Sequence, residues 1–261
     1  MKVSKDYNYI GLFLTMRCTY NCSYCINWKL SYKEESGDFW IDNLNNLDTD
    51  LSITIGGGEP TLHKDFYSII KGLRHKVELL TNLSFNVKQF VSELSPIMFN
   101  MNRPFAPIRA SFHSEFMDTQ VTLSKINYLI DSGFKVGLYC VDTEENKHAI
   151  ELFRRVISDM NGCSFETKPL LDNTVKKETK QDKLILCRTR ELLLAPNGSV
   201  FRCHRDLYKN ENIIGNIATM KKIDTDFRTC NNYLECHPCD TKIKRDRFGN
   251  PGYCAVERKN N

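Results

Sequence analysis

The sequence predicts an α/β fold, a partial (β/α)6 TIM-like barrel followed by a small cysteine-rich C-terminal extension, and three observations predict it. Strand-like apolar runs alternate with helical patterns about six times over the first two-thirds of the 261 residues, the rhythm of parallel strands joined by crossover helices. That stretch is too short for a closed eight-fold barrel, which takes about 250 residues. After residue 171 the rhythm stops and cysteines become dense: Cys187, Cys203, Cys230, Cys236, Cys239 and Cys254. The expected division is a barrel over 1–171 and a second unit, a β-hairpin plus helix, over 172–261.

Residues 9–16 (YIGLFLTM) read as the first strand. Residues 51–55 (LSITI) form a β-branched run that ends at GGGEP. Over 63–75, Phe66, Ile69, Ile70 and Leu73 fall on one helical face. Then come a strand at 77–82, a helix at 86–94, a strand at 107–113 and a helix at 118–133 that stops at Gly133. A strand at 134–141, a helix at 144–159 and a strand at 163–171 complete the series. Residues 172–183 (DNTVKKETKQDK) read as a linker. Residues 191–203 read as a hairpin that turns at Pro196, Asn197 and Gly198.

Hydrophobic residues at 41% and charged residues at 26% give a soluble, globular balance. A net charge of +4 is too mild to point to nucleic acid. The basic run 241–247 (TKIKRDR) reads as solvated surface. No apolar run is long enough to span a membrane, and the N-terminus lacks the apolar core of a secretory signal. The expected location is therefore cytoplasmic. In that reducing compartment eleven cysteines are better explained by metal or cluster ligation than by disulfides.

The stretch MRCTYNCSYCIN (16–27) places Cys18, Cys22 and Cys25 on the loop after the first strand. Four ligands close a structural zinc site or an ordinary cubane, whereas three leave one position open for an outside ligand. A zinc site or incidental cysteines are the plainer alternatives. C-x3-C-x2-C, followed about thirty residues later by GGEP after the second strand, resembles the radical S-adenosylmethionine (SAM) superfamily. The resemblance covers about residues 8–165 and implies that Cys18, Cys22 and Cys25 hold a site-differentiated [4Fe-4S] cluster. It implies that SAM chelates the open iron and that reductive cleavage gives a 5′-deoxyadenosyl radical. It also implies that Tyr24 lies beside the cofactor, and that an external one-electron reductant such as flavodoxin or ferredoxin is a partner.

In GGGEP (56–60), glycines let backbone approach a ligand, and carbonyls and a carboxylate accept hydrogen bonds from an ammonium. Gly57, Gly58 and Glu59 are thus candidate SAM contacts. Thr81, Asn82 and Ser111 end strands where related enzymes place polar SAM contacts, with ordinary capping as the alternative. Asn146 closes VDTEEN, which resembles a strand-end segment of the superfamily, and is a further SAM candidate. His113 stands where many relatives carry an acidic residue. It is the candidate catalytic residue, to bind substrate or accept a proton, the alternative being a hydrogen-bonded structural histidine.

CRTRELLLAPNGSVFRC (187–203) resembles the opening of the SPASM and twitch extensions, which implies one auxiliary [4Fe-4S] cluster. Cys187, Cys203, Cys236 and Cys239 form the favoured ligand set, the hairpin bringing its two ends together. Cys230 is the chief rival ligand, and Cys254 a weaker one. Six cysteines are too few for two more clusters, and the spacing departs from the full SPASM pattern. A structural zinc with the same ligands is the alternative. Cys140 and Cys163 sit in apolar strands and read as structural. His204, Arg205 and Asp206 either line a cavity or form an ordinary polar loop.

The expected activity is net oxidation of a small-molecule, sugar- or nucleotide-like substrate, assisted by the auxiliary cluster. A cluster loop at residue 18 leaves no room before it for the recognition domain of many peptide maturases, which favours the small molecule. A peptide-modifying enzyme and a non-catalytic cluster- or zinc-binding protein are the alternatives.

Overall fold

A computed structural model describes residues 1–25, 27, 30–102, 105–170, 185–223, 226–230 and 256–260. Its elements in chain order are β1 (Tyr9–Thr15), α1 (Gly37–Asn45), β2 (Ile53–Gly57), α2 (Phe66–Gly72), β3 (Val77–Thr81), α3 (Val87–Glu93), β4 (Ile108–Phe112), α4 (Thr119–Asp131), β5 (Val136–Asp142), α5 (Lys147–Ile157) and β6 (Cys163–Pro169). The second part adds β7 (Ile185–Thr189), β8 (Glu191–Leu194), β9 (Ser199–Phe201), α6 (His204–Lys209), β10 (Gly215–Asn216), β11 (Arg228–Cys230) and β12 (Val256–Asn260).

β1 to β6 pair in parallel and in chain order, which confirms the partial barrel. Alternation along each strand gives the sheet two faces. One face carries Ile10, Leu12, Leu14, Ile53, Ile55, Leu79, Ile108, Phe112 and Leu138, all buried in one core with Trp40, Ile69, Phe90, Ile126 and Phe153 of the crossover helices. The register places Gly11, Thr54, Glu78 and Arg109 on the other, concave face, with Ser111, Tyr139 and Glu166 further along it.

Helix α1 is absent from the sequence reading. Only Trp40 and Leu44 among its large side chains are buried, so its apolar stripe is thin. Its start is marked by Ser36, whose hydroxyl accepts from the Phe39 amide. The helix expected over 63–75 is shorter, because a 3-10 turn over Pro60–Leu62 precedes it and the chain turns extended at Leu73. The helix expected from 144 begins at Lys147, after a 3-10 turn over Glu144–Asn146.

The hairpin of the extension is present as β8 and β9, and α6 follows it. β8 pairs in parallel with β1 (Gly11 with Leu193, Leu12 with Leu194), so the hairpin extends the barrel sheet at the β1 edge. Tyr9, Phe13, Leu193, Phe201 and Leu207 form a second, smaller buried cluster there. A separate three-stranded sheet has the order β11-β7-β12. Among the described residues no helix is long and apolar enough to cross a membrane.

Candidate functional site

The loop after β1 carries Cys18 exposed, Cys22 buried and Cys25 half-buried. It has little structure of its own, a turn closed by the Cys25 amide on the Cys22 carbonyl at 3.0 Å. Three N–H groups point at its sulfurs: the Tyr20 amide and Asn82 Nδ2 each lie 3.5 Å from Cys18 Sγ, and the Asn27 amide lies 3.4 Å from Cys25 Sγ. Burial raises the pKa of Cys18 above the ordinary thiol value. Burial first, then the charges of Cys25, Glu115 and Cys18, pushes Cys22 up to about 12. Three soft donors on one loop, two of them met by N–H donors, fit a cationic iron cluster, since metal binding deprotonates thiols outright. Among the described residues no three His, Cys, Asp or Glu side chains close on a single ion; the ligands of a cubane bind separate irons and need not meet at one point.

The GGGEP turn lies directly against this loop. The Gly58 amide donates to Thr15 O at 2.8 Å and the Glu59 amide to Arg17 O at 2.7 Å. Gly57 has φ +119°, and a Cβ there would stand 2.2 Å from Thr15 O; one on Gly58 would stand 2.1 Å from Arg17 O. These glycines therefore admit the backbone of the cysteine loop, a tighter constraint than the approach of a ligand. Asn27 Nδ2 donates to Gly57 O at 2.6 Å, so one loop residue contacts both motifs.

Glu59 is fully buried. Its carboxylate accepts from Thr61 Oγ1 (2.6 Å), Thr81 Oγ1 (2.9 Å) and the Asn82 amide (2.8 Å). Burial raises its pKa and these bonds oppose the rise. Glu59, Thr81 and Asn82 are thus one network that joins the ends of β2 and β3, and Asn82 carries it to Cys18. Leu83 follows at φ +58°, its carbonyl held by Lys125 Nζ at 2.6 Å.

Tyr24 and His113 meet: the Tyr24 hydroxyl lies 2.7 Å from His113 Nδ1. Burial lowers the His113 pKa, and Glu115 opposes this. Asn146 is buried beside Tyr24 and donates to Val141 O at 2.7 Å. That bond fixes its amide, and its Oδ1 is buried with no hydrogen-bond partner among the described residues, as is Oδ1 of Asn27. Two such orphaned acceptors fit a ligand that brings donors. Ser111 is half-buried on the concave face, opposite Tyr139. A cleft of about 430 Å³ opens beside Cys18, lined in part by Arg17, Tyr20, Tyr32 and Glu34.

The sequence reading passed over Asn27 and Glu115. Glu115 accepts from Ser23 Oγ at 2.9 Å and from the Ser23 amide at 3.3 Å. Its place three residues past the end of β4 is the signal that could have found it.

In the extension, Arg190 separates β7 from β8, so the hairpin ladder runs through Leu193–Phe201 and Leu194–Val200 and excludes Cys187. Cys187 lies on β7, opposite Arg228 and Arg258, while Cys203 precedes α6. Cys230 pairs with Ile185, two residues from Cys187, on the same face of that sheet. Cys236, Cys239 and Cys254 lie outside the described residues. Cys140 is buried among apolar side chains and Cys163 packs against the same core; burial pushes both thiols up to about 11. His204 is buried, its Nδ1 3.1 Å from Glu191, and Arg205 pairs with Asp206 at 2.9 Å.

No known protein-family profile matches the chain. Over 93 residues it is 32% identical to the S-adenosylmethionine-dependent nucleotide dehydratase of Selenomonas ruminantium, covering 33% of this chain and 34% of that protein. Over 96 residues it is 33% identical to the GTP 3′,8-cyclase of Haemophilus ducreyi, covering 31% and 27%. The matches thus span about a third or less of these relatives' lengths. Among solved structures, native anSMEcpe with bound AdoMet and Cp18Cys peptide superposes with a TM-score of 0.62 at 13% identity, covering 95% of this chain and 91% of that one. Native anSMEcpe with bound AdoMet gives 0.60 at 15% identity, covering 94% and 92%. At these identities the likeness is one of fold. The resemblance to the radical SAM superfamily drawn from the cysteine motif is matched by fold and by local sequence.

Proposed function

We propose that this chain is a radical SAM enzyme acting on a nucleotide- or sugar-like small molecule. The observation that carries the reading is the cysteine loop seated by backbone hydrogen bonds on the GGGEP turn, at the carboxyl ends of parallel strands. Cys18, Cys22 and Cys25 would hold a [4Fe-4S] cluster, which would supply the electron for reductive cleavage of SAM and so for hydrogen abstraction from substrate.

The chain's own residues bind and orient. The carbonyls of Gly57 and Gly58, Glu59 and Asn27 Oδ1 offer acceptors for the SAM ammonium. Tyr24, steadied by His113, offers a ring to the adenosyl group, and Asn146 Oδ1 an acceptor beside it. Thr81 and Asn82 hold Glu59 in place, and Ser111 lies on the concave face opposite Tyr139. His113 acts there by fixing Tyr24; a proton-accepting role toward substrate remains with its second ring nitrogen.

The names of the curated relatives, a nucleotide dehydratase and a cyclase of GTP, support a nucleotide-like substrate. The peptide alternative has the fold likeness to peptide-bound anSMEcpe in its favour, and fold alone does not assign a substrate. One auxiliary cluster on Cys187, Cys203, Cys236 and Cys239 would accept an electron from a substrate radical and make the reaction a net oxidation. The shared face of Cys187 and Cys230 supports Cys230 as the rival for one of those four places.

The test is oxygen-free reconstitution in the reducing, cytoplasm-like conditions that flavodoxin or ferredoxin would provide. About eight irons per chain, falling to about four when Cys18, Cys22 and Cys25 become Ala, is expected, with 5′-deoxyadenosine formed by the parent and not by Cys22→Ala. Iron uptake without any 5′-deoxyadenosine would leave a non-catalytic cluster protein and overturn the reading.

A further inference from the structure

The cysteine loop is gripped from a second direction by the segment that follows β4. Ser23, between Cys22 and Cys25, gives its hydroxyl to Glu115 Oε1 at 2.9 Å and its amide to both carboxylate oxygens at 3.3 Å. On one side of it Tyr24 is bonded to His113 at 2.7 Å. On the other, Tyr20 stacks on Phe116, with ring centres 5.1 Å apart and planes 7° from parallel. The gripping segment is itself tied down: the Phe116 and Met117 amides both donate to His113 O at 3.0 Å, and Asp118 caps α4 through the Val121 amide at 2.8 Å.

We propose that Glu115 is a positioning residue for the cysteine loop, fixing Ser23 and with it the spacing of Cys22 and Cys25, and that its carboxylate lowers the reduction potential of the cluster they hold. The first half follows from geometry. A carboxylate that accepts from both the hydroxyl and the amide of one residue fixes where that residue sits. The second half follows from Coulomb's law: an anion beside the thiolates opposes the arrival of another electron. The potential arm rests on the cluster reading above; the positioning arm does not.

Two substitutions separate the effects. Glu115→Gln keeps an acceptor and removes the charge, while Glu115→Ala removes both. Glu144→Gln, at a side chain 78% exposed on the turn before α5, controls for loss of a surface charge. In the full chain before iron is added, hydrogen exchange of peptides covering 18–25 is expected to quicken about tenfold in Glu115→Ala, less in Glu115→Gln, and not in Glu144→Gln. Exchange in Glu115→Ala equal to the parent's would overturn the positioning role. After reconstitution, a redox titration followed by electron paramagnetic resonance should show a higher potential in both Glu115 variants and none in the control. An unmoved potential in Glu115→Gln refutes the electrostatic half. If the parent takes up no cluster, the functional reading fails, and the exchange result still decides whether Glu115 holds the loop.

Discussion

Gly58→Ala should damage this protein far more than Gly56→Ala, two positions earlier in the same run of three glycines. A Cβ on Gly58 would sit 2.1 Å from Arg17 O and 2.7 Å from Met16 O, both backbone atoms that cannot swing aside. Relief requires the turn and the cysteine loop to part by roughly 1 Å, and that motion breaks the 2.8 Å bond from the Gly58 amide and the 2.7 Å bond from the Glu59 amide. Two net hydrogen bonds at about 1 kcal/mol each and overpacking strain of about 2 kcal/mol give a loss of about 4 kcal/mol. For a chain of this size that lowers Tm by roughly 10 °C. A Cβ on Gly56 meets only Leu80 Cδ1 at 3.2 Å, the end of a flexible side chain that is 36% exposed, so its cost should stay below about 1 kcal/mol. Thermal unfolding of the two metal-free variants by circular dichroism, followed by iron uptake, measures both. Equal Tm values for the two would refute the argument that Gly58 exists to admit the loop backbone.

Arg109→Met should cost about 3 kcal/mol in urea unfolding, because it takes a guanidinium 2.7 Å from the Glu78 carboxylate, which is 2% exposed, and leaves that charge in the barrel interior. Adding Glu78→Gln to Arg109→Met should recover part of the loss. Stability should also carry two pH signatures of opposite sign. His113 has its folded pKa below 6.5, so its contribution is present above pH 6.5 and is lost as pH falls through the folded value; His113→Gln should flatten that limb of a Tm-against-pH curve. Glu59 has its folded pKa above 4.5, so its contribution is complete below pH 4.5 and is lost as pH rises through the folded value; Glu59→Gln should remove that slope.

The parallel strands were legible because a strand buried on its helix-facing side writes its own alternation. In β4, Ile108, Ala110 and Phe112 are buried while Arg109 and Ser111 are not, a period of two that no helix would produce. Helix α1 was not legible because two buried anchors in nine residues barely rise above a polar background. The GGGEP motif was legible as a turn after a strand, yet its glycines answer to a constraint that only the fold reveals, the backbone of a segment some forty residues earlier. Glu115 was missed for a related reason: a carboxylate on an exposed loop looks like solvated surface until its partner, Ser23, is known to be beside it. The strand that carries Cys187 was not legible: the hairpin was read over 191–203, and Cys187 stands before Arg190 on β7, a strand of the separate three-stranded sheet.

The cysteine loop shows why so much of the site is spread along the chain. Among the described residues, the turn from Cys22 to Cys25 is closed by one backbone hydrogen bond, which cannot by itself hold three sulfurs in a fixed arrangement. Its geometry is therefore imposed from outside: by GGGEP after β2, by Asn82 after β3, by His113, Glu115 and Phe116 after β4. On its far side, residues 30–35 bind Tyr32 to Leu207 O at 2.9 Å and the Glu35 amide to Pro196 O at 3.0 Å. A parallel sheet delivers successive strand ends to one edge, which is how Asn82 comes to meet Glu59, and Glu115 to meet Ser23. β1 stands between β2 and β8, so the strand that launches the cysteine loop is the same one that receives the extension. Substitutions that loosen β8 against β1, at Leu193 or Leu194, should consequently be felt at Cys18 through β1 and through the Tyr32 contact, although both leucines are far from Cys18 in sequence.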